Sequence, residues 1–342
     1  MFLVRFGALC NSRLVKKIIA SLLCCSLFIS NVAFAQAPDF SANNGKFFST
    51  ELKRRPTEAR AYFGPQVVSL FLPGFDQWYE GQYRAAALYS ALYIGGTALS
   101  APKIRFTEDA DATDTDDEDD STDLDDRGSF NRQRLLGAQI AFDIGLISAY
   151  HSFRTAVRSQ QANGKFLFLT KEETTDEILS APFAFSEILK PTTFIPLALL
   201  LGLGVADLKN KGGGKANWVA ADTFYTAAYS YGAGTSEEAA FRGWLMPVAQ
   251  HWFNNKFWSN TATAAVFAAG HISGDNPVPV AQFVMGWYFG YLTQRNDWTL
   301  RQSIFLHTWW DILAFGLTYY DNSRPGRMPG KEVMAPLLNA TF

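Results

Sequence analysis

Past Gly214 the chain passes through five apolar segments, residues 218–230, 235–252, 257–271, 278–293 and 301–320, joined by short connections carrying Asn, Gly, Pro or charge. In a bilayer each backbone polar group must find its partner within its own segment, so such a series is expected to fold as α-helices packed antiparallel. Gly286 and the small residues Ala262, Ala264, Ala265, Ala268 and Ala269 would let those helices approach closely. Residues 85–102 and 191–206 are uncharged and of similar length. The fold class expected is therefore all-α, a polytopic transmembrane helical bundle.

Charge is distributed unevenly. Residues 108–126 hold 12 of the 32 carboxylates, which leaves 20 acidic residues against 30 basic ones elsewhere. That run has no apolar periodicity and is expected to be a disordered, solvated loop over about residues 103–131. It lacks the spaced ligands and turn glycine of a calcium loop.

At the amino terminus, Arg5, Arg13, Lys16 and Lys17 precede the apolar stretch 18–29, and Ala33-Phe34-Ala35 follows as a small-residue cleavage pattern. Residues 1–35 read as a signal peptide, with an uncleaved first membrane helix as the alternative. Cys10, Cys24 and Cys25 all fall in this segment, so a mature chain would use no disulfide, thiolate metal site or cysteine nucleophile. Residues 36–210 form an expected amino-terminal membrane region, 211–325 a catalytic domain and 326–342 a tail. The expected localisation is integral to a membrane, the bacterial inner membrane, with the lipid bilayer as partner and no nucleic acid.

Ionisable side chains in apolar segments are costly and by default mark a functional site. Three stretches carry them: Glu237-Glu238-Ala239-Ala240-Phe241-Arg242, Phe267-Ala268-Ala269-Gly270-His271 and His307-Thr308-Trp309-Trp310-Asp311. Glu238 and Arg242 are four apart, so they share a helical face and suit an ion pair, while Glu237 is turned about 100° away. His307 and Asp311 repeat that spacing. A carboxylate in a low-dielectric cavity becomes a better base, so Glu237 with His271 can take a proton from water. His307 can donate to the oxyanion that forms, with Asp311 fixing its tautomer or donating when protonated.

Other polar residues invite plainer readings. Asp143 and His151 lie two turns apart in the apolar stretch 135–153 and suit a packed polar pair or an interfacial histidine. His251 beside Trp252 suits an interfacial anchor, and Trp309-Trp310 suits packing or lipid contact. The stretch from Pro73 through Gln82 (Pro-Gly-Phe-Asp-Gln-Trp-Tyr-Glu-Gly-Gln) is similar to the hairpin entry of small two-helix membrane domains and reads as a turn with interfacial aromatics.

The order Glu-Glu-x-x-x-Arg, Phe-x-x-x-His, a glycine-bearing apolar helix and His-x-x-x-Asp resembles the CAAX protease and bacteriocin-processing (CPBP or ABI) family of glutamyl intramembrane endopeptidases. The resemblance covers about residues 218–320. It implies that Glu237 is the water-activating base, Glu238 and Arg242 a structural pair, His271 a partner in water activation, and His307 with Asp311 the oxyanion-stabilising end. It implies no cofactor and no metal; the signal-like amino terminus sets this chain apart from the prenyl-processing relatives, so the substrate expected is a membrane-embedded or membrane-proximal peptide. Two alternatives stand beside it: a zinc protease with Glu237, His271 and His307 as ligands and Asp311 behind them, and a non-catalytic membrane scaffold or chaperone that keeps the fold.

Overall fold

A computed structural model describes residues 59–101, 121–210, 220–272 and 277–321. Its elements are α1 (Gly64–Phe71), α2 (Phe75–Tyr79), α3 (Tyr83–Ser100), α4 (Ser121–Gln161), α5 (Thr175–Ser180), two 3₁₀ turns (Ala181–Phe183 and Phe185–Leu189), α6 (Pro191–Asn210), α7 (Ala220–Ala240), a π-turn (Phe241–Leu245), α8 (Met246–Phe253), α9 (Lys256–Ala269), α10 (Val280–Arg295) and α11 (Arg301–Asp321). Among the described residues there is no strand. The described part of the chain is all-α. The signal segment, the acidic residues up to 120 and the tail beyond 321 lie outside the described residues.

Local chemistry sets several helix ends. Thr174 and Glu177 close a reciprocal capping box over α5. The side chain of Asn255 accepts from the Trp258 N–H at the start of α9, and Asn254 ends α8 in the left-handed region. Gly74 opens α2 at φ 93°, a conformation natural to glycine, where a Cβ would also meet the Ala86 carbonyl oxygen at 2.6 Å. That turn is tied down by α4: Gly74 N–H donates to Ser148 Oγ at 2.9 Å, and Ser148 Oγ donates to Gln77 Oε1 at 3.0 Å. Asp76 Oδ2 accepts from Ser152 Oγ at 2.7 Å. The same turn leaves Phe75, Trp78 and Tyr79 exposed.

Two helices are longer than the sequence pattern suggests. Helix α4 begins at Ser121, so residues 121–131, expected in the acidic loop, are helical. Once an apolar stretch has nucleated a helix, each added residue gains a hydrogen bond, and polar residues extend it without an apolar face. Helix α7 runs unbroken through residues 231–234, where two separate segments are expected. The glycines there serve packing: a Cβ at Gly232 would collide with the Asp143 carboxylate, and one at Gly234 with Thr308 Oγ1. The remaining expected segments match α3, α6, α9, α10 and α11 to within a few residues at either end.

Helix α4 packs against α3 on one side and α7 on the other, α7 packs on α11, α9 on α10, and α6 on α11. One core cluster joins Tyr89, Ile147, Tyr150, Ala239, Leu300 and Ile304 across α3, α4, α7 and the start of α11. Apolar clusters form the core, yet many polar and charged side chains are buried among them and many large apolar ones are exposed. Ser148, Ser152, Ser230, Ser236, Glu237, Glu238, Arg242 and His307 are buried, while Phe194, Leu199, Leu203, Trp258, Val266 and Val284 are exposed. Buried polar groups and exposed apolar surface are the informative departures from a soluble core. Among the described residues one helix is both long and apolar enough to cross a membrane, Pro191–Lys209, with mean hydropathy 1.6. The inward faces of its neighbours carry Ser, Thr, Gln and charged residues, which lowers their mean hydropathy.

Candidate active site

Helix α7 delivers Glu237, Glu238 and, at its π-turn, Arg242. Arg242 Nη1 donates to Glu238 Oε1 at 2.8 Å, and Arg242 Nη2 donates to the Gly286 carbonyl oxygen on α10 at 2.8 Å. Both charged side chains are fully buried, and the guanidinium also lies 4.5 Å from the Phe267 ring centroid and 5.4 Å from that of Phe289. A buried guanidinium needs such a combination of carboxylate, carbonyl and aromatic faces to offset its lost hydration. Gly286 makes room for it, since a Cβ there would stand 3.0 Å from Nη2. Single π-turns inside α-helices recur at functional sites, and this one directly follows the Glu-Glu pair.

Helix α11 brings His307 against that pair. Its Nδ1 lies 2.9 Å from Glu238 Oε1, and its Nε2 lies 3.9 Å from Glu237 Oε2 and 3.5 Å from Asp311 Oδ2. The imidazole stacks on Phe289 with ring centroids 4.8 Å apart and meets Phe267 edge-on at 6.1 Å. One ring nitrogen is thus committed to Glu238, and the other faces two carboxylates. Glu237 and His307 are buried, whereas the Asp311 side chain is 24% exposed and forms the open end of the cluster.

His271 follows α9 and sits apart from the closest contacts. Its Nδ1 is 2.8 Å from the Phe267 carbonyl oxygen, and its ring lies 4.6 Å from the Phe267 ring. The Phe267 ring is thus shared by His271, Arg242 and His307. The ring of His271 is half-buried. Residues 273–276 beyond it lie outside the described residues.

Asp143 and His151 do not form a pair. Asp143 Oδ1 accepts from Ser236 Oγ at 2.6 Å, while His151 Nδ1 is 3.0 Å from the Tyr89 hydroxyl, buried between α4 and α3. His251 packs on Tyr62 and Phe166, and Trp309 Nε1 donates to the Pro182 carbonyl oxygen at 2.9 Å. A cleft of about 480 Å³ lined by Arg60, Gln66, Phe75, Asp76, Tyr79 and Glu80 lies in the amino-terminal part of the bundle, away from this cluster.

The three proposed zinc ligands, Glu237, His271 and His307, do not converge. No three His, Cys, Asp or Glu side chains among the described residues are grouped as a metal centre. Sequence spacing identifies the pairs within each helix. It misses three features: the Glu238 to His307 contact between helices, the Phe267 and Phe289 rings that enclose the imidazole, and the Ser236 to Asp143 bond behind Glu237. The Phe-x-x-x-His spacing was the one signal available for Phe267.

Together these features define a class: a helical bundle with acid and imidazole groups from distant segments held at one buried point. Residues 219–313 match the family described as type II CAAX prenyl endopeptidase, Rce1-like, which is the family whose resemblance the three motifs carry. The matched segment runs from the start of α7 into α11 and contains Glu237, Glu238, Arg242, His271, His307 and Asp311, and it spans less than a third of the chain. Comparison with curated proteins finds no match, and neither does comparison with solved structures.

Proposed function

We propose that this protein is a polytopic intramembrane endopeptidase of the glutamyl CPBP kind, which hydrolyses a peptide bond of a membrane-associated protein or peptide. The observation that carries the reading is the junction of one pair, Glu237 and Glu238, with a second pair 69 or more residues further along the sequence, His307 and Asp311, around one imidazole ring. A structural ion pair alone needs Glu238 and Arg242. It gives no reason to bury a second carboxylate beside a histidine.

In this reading Glu237 takes the proton of the attacking water as its oxygen bonds the carbonyl carbon, and returns it to the amide nitrogen as the C–N bond breaks. The 3.9 Å between Glu237 Oε2 and His307 Nε2 exceeds a direct hydrogen bond and suits two groups that share a reacting oxygen. With Nδ1 directed at Glu238, His307 donates to an oxyanion through Nε2 only in its doubly protonated form. An ionised Asp311 would repel the oxyanion directly, so its role is to act on the ring, 3.5 Å away. His271, whose ring packs on the same Phe267 side chain as His307, assists in activating that water. No serine or cysteine nucleophile and no metal ion enters the scheme.

The membrane placement is supported by α6 and by the large exposed apolar residues of α3, α9 and α10. The substrate follows from that setting: a peptide segment lying in or against the bilayer, able to approach the Asp311 end. The amino-terminal charge pattern favours a bacterial inner membrane.

The test is cleavage of a fluorescence-quenched peptide library by the full chain in proteoliposomes, with Glu237→Gln, His271→Ala and His307→Ala compared at equal folded yield. Loss of a general base typically lowers turnover by about 10²–10⁴-fold. Unchanged cleavage in Glu237→Gln and His307→Ala would overturn the assignment of these residues as catalytic, and wild type that cleaves no peptide while holding the same fold would identify a scaffold in place of an enzyme. Inhibition by chelators with recovery on added zinc would establish the metalloprotease alternative.

A further inference from the structure

The wall behind Glu237 comes from outside the matched segment. Asp143, on α4, accepts the Ser236 hydroxyl at 2.6 Å and the Gln139 side-chain amide at 2.8 Å through the same oxygen, Oδ1. Its other oxygen abuts Gly232, where any Cβ would collide with it. Gly232, Ser236 and Ala239 fall at spacings of four and three, so they form one stripe along α7, and Gly243 follows in the π-turn. That stripe faces α4 over its length: Ala239 packs in the cluster with Ile147 and Tyr150, and a Cβ at Gly243 would strike the Tyr150 ring. Gly234 and Glu238, on the other side of α7, meet Thr308 and His307. Helix α7 is held between α4 and α11.

Successive helical residues turn by about 100°, so fixing Ser236 toward α4 fixes where its neighbour Glu237 points. Without an external acceptor, a buried helical serine returns its hydroxyl bond to its own preceding turn and no longer ties its helix to another. Further up, Arg132 of α4 pairs with Asp222 at 2.9 Å, and its carbonyl oxygen accepts from the Tyr229 hydroxyl at 2.8 Å. Those contacts set the height of α7 against α4. The Ser236 bond sets its rotation beside the site.

We propose that Asp143 is a positioning residue which, through Ser236, orients Glu237 toward His307. The amino-terminal helix α4 is then a working part of the catalytic unit and not a separate module. The inference rests on Glu237 being the base, and the experiment separates the two ideas.

Asp143→Ala, Asp143→Asn, Ser236→Ala and the Asp143→Ala/Ser236→Ala double variant are assayed in proteoliposomes beside Glu237→Gln, at matched melting temperature. Displacing a reacting group by a fraction of an ångström can cost about 10–10²-fold, so Asp143→Ala and Ser236→Ala should each lower kcat by about tenfold with KM unchanged. The double variant should be no worse than either single one, and Asp143→Asn, which keeps the acceptor oxygen, should recover most of the loss. A substrate-free readout accompanies this: in a cysteine-free background, Glu237→Cys/His307→Cys is bridged by a short bifunctional thiol reagent, and Asp143→Ala should at least halve the yield. Retained cleavage in Glu237→Gln defeats the functional reading alone. Unchanged kcat and unchanged bridging in Asp143→Ala, additive losses in the double variant, or no recovery in Asp143→Asn would overturn the positioning role.

Discussion

His307 Nδ1 and Arg242 Nη1 converge on a single oxygen of Glu238, at 2.9 and 2.8 Å. Glu238 is therefore the joint of three helices: it neutralises the guanidinium that bonds to α10 and fixes the imidazole presented by α11. The residue that orients the site and the residue that stabilises the bundle are the same one. Its neighbour Glu237, which among the described residues forms no ion pair with an arginine, faces Nε2.

Glu238→Ala should destabilise the protein by about 3–5 kcal/mol, because it strands a buried Arg242 and removes the partner of His307. Glu238→Gln, which keeps an acceptor oxygen for the ring, should lose less. Thermal unfolding in detergent measures both, and a Glu238→Ala protein as stable as wild type would contradict the joint.

Gly234→Ala should separate α7 from α11. A Cβ there would collide with Thr308 Oγ1 and stand 2.8 Å from the Thr308 backbone nitrogen, which cannot yield as a side chain can. Overpacking of this kind costs about 1–3 kcal/mol, and here it also moves His307 away from the Glu pair. Turnover should fall further than the melting temperature alone accounts for. The same change at Gly316, where a Cβ meets nothing within 4 Å, should be silent.

Glu173, in the connector before α5, accepts the Leu300 N–H at 2.8 Å where α11 begins. Burial raises its pKa from 4.5 to about 7, against the opposing pull of that backbone bond. The folded state therefore binds the proton more tightly than the unfolded chain. The resulting stabilisation is complete below pH 4.5 and is lost as pH rises through about 7. Melting temperature should accordingly decline between pH 5 and 8 in wild type, and Glu173→Gln should flatten that decline. An equal slope in both proteins would remove Glu173 as its source.

Leu199→Lys, at an exposed position midway along α6, should weaken membrane integration. A lysine at the centre of a spanning helix costs about 2.5–3.5 kcal/mol on insertion. Protease protection of tagged ends, or the share of chain extracted by alkaline carbonate, reads the effect. No change relative to Leu199→Ala would place α6 outside the bilayer.

How much of this was visible in the letters varies residue by residue. The helices α3, α6, α9, α10 and α11 follow from runs of apolar residues with Pro, Asn or charge at their ends, because backbone hydrogen bonding in such runs is a local matter. The pairing of Glu238 with Arg242 is local in the same way, since four residues make about one turn. The continuity of α7 was not legible. Gly232 and Gly234 look like a break until Asp143 and Thr308 are seen to occupy the space their missing side chains leave. His271 illustrates the opposite limit, for its motif names a partner in water activation, whereas the Phe267 ring that it shares with His307 is visible only in three dimensions.

By itself, then, the sequence determined that the chain is helical, which residues carry ionisable groups into apolar surroundings, and which of them share a turn. All of that depends on spacing along one helix. Only tertiary structure decided that His307 lies between Glu237 and Glu238, that Phe267 and Phe289 enclose it, and that Asp143 stands behind the pair. Those contacts join residues 18 to 93 positions apart, and their geometry depends on how each helix is rotated about its own axis. That rotation is set by small residues and buried hydrogen bonds between helices, a balance of packing that no single segment contains.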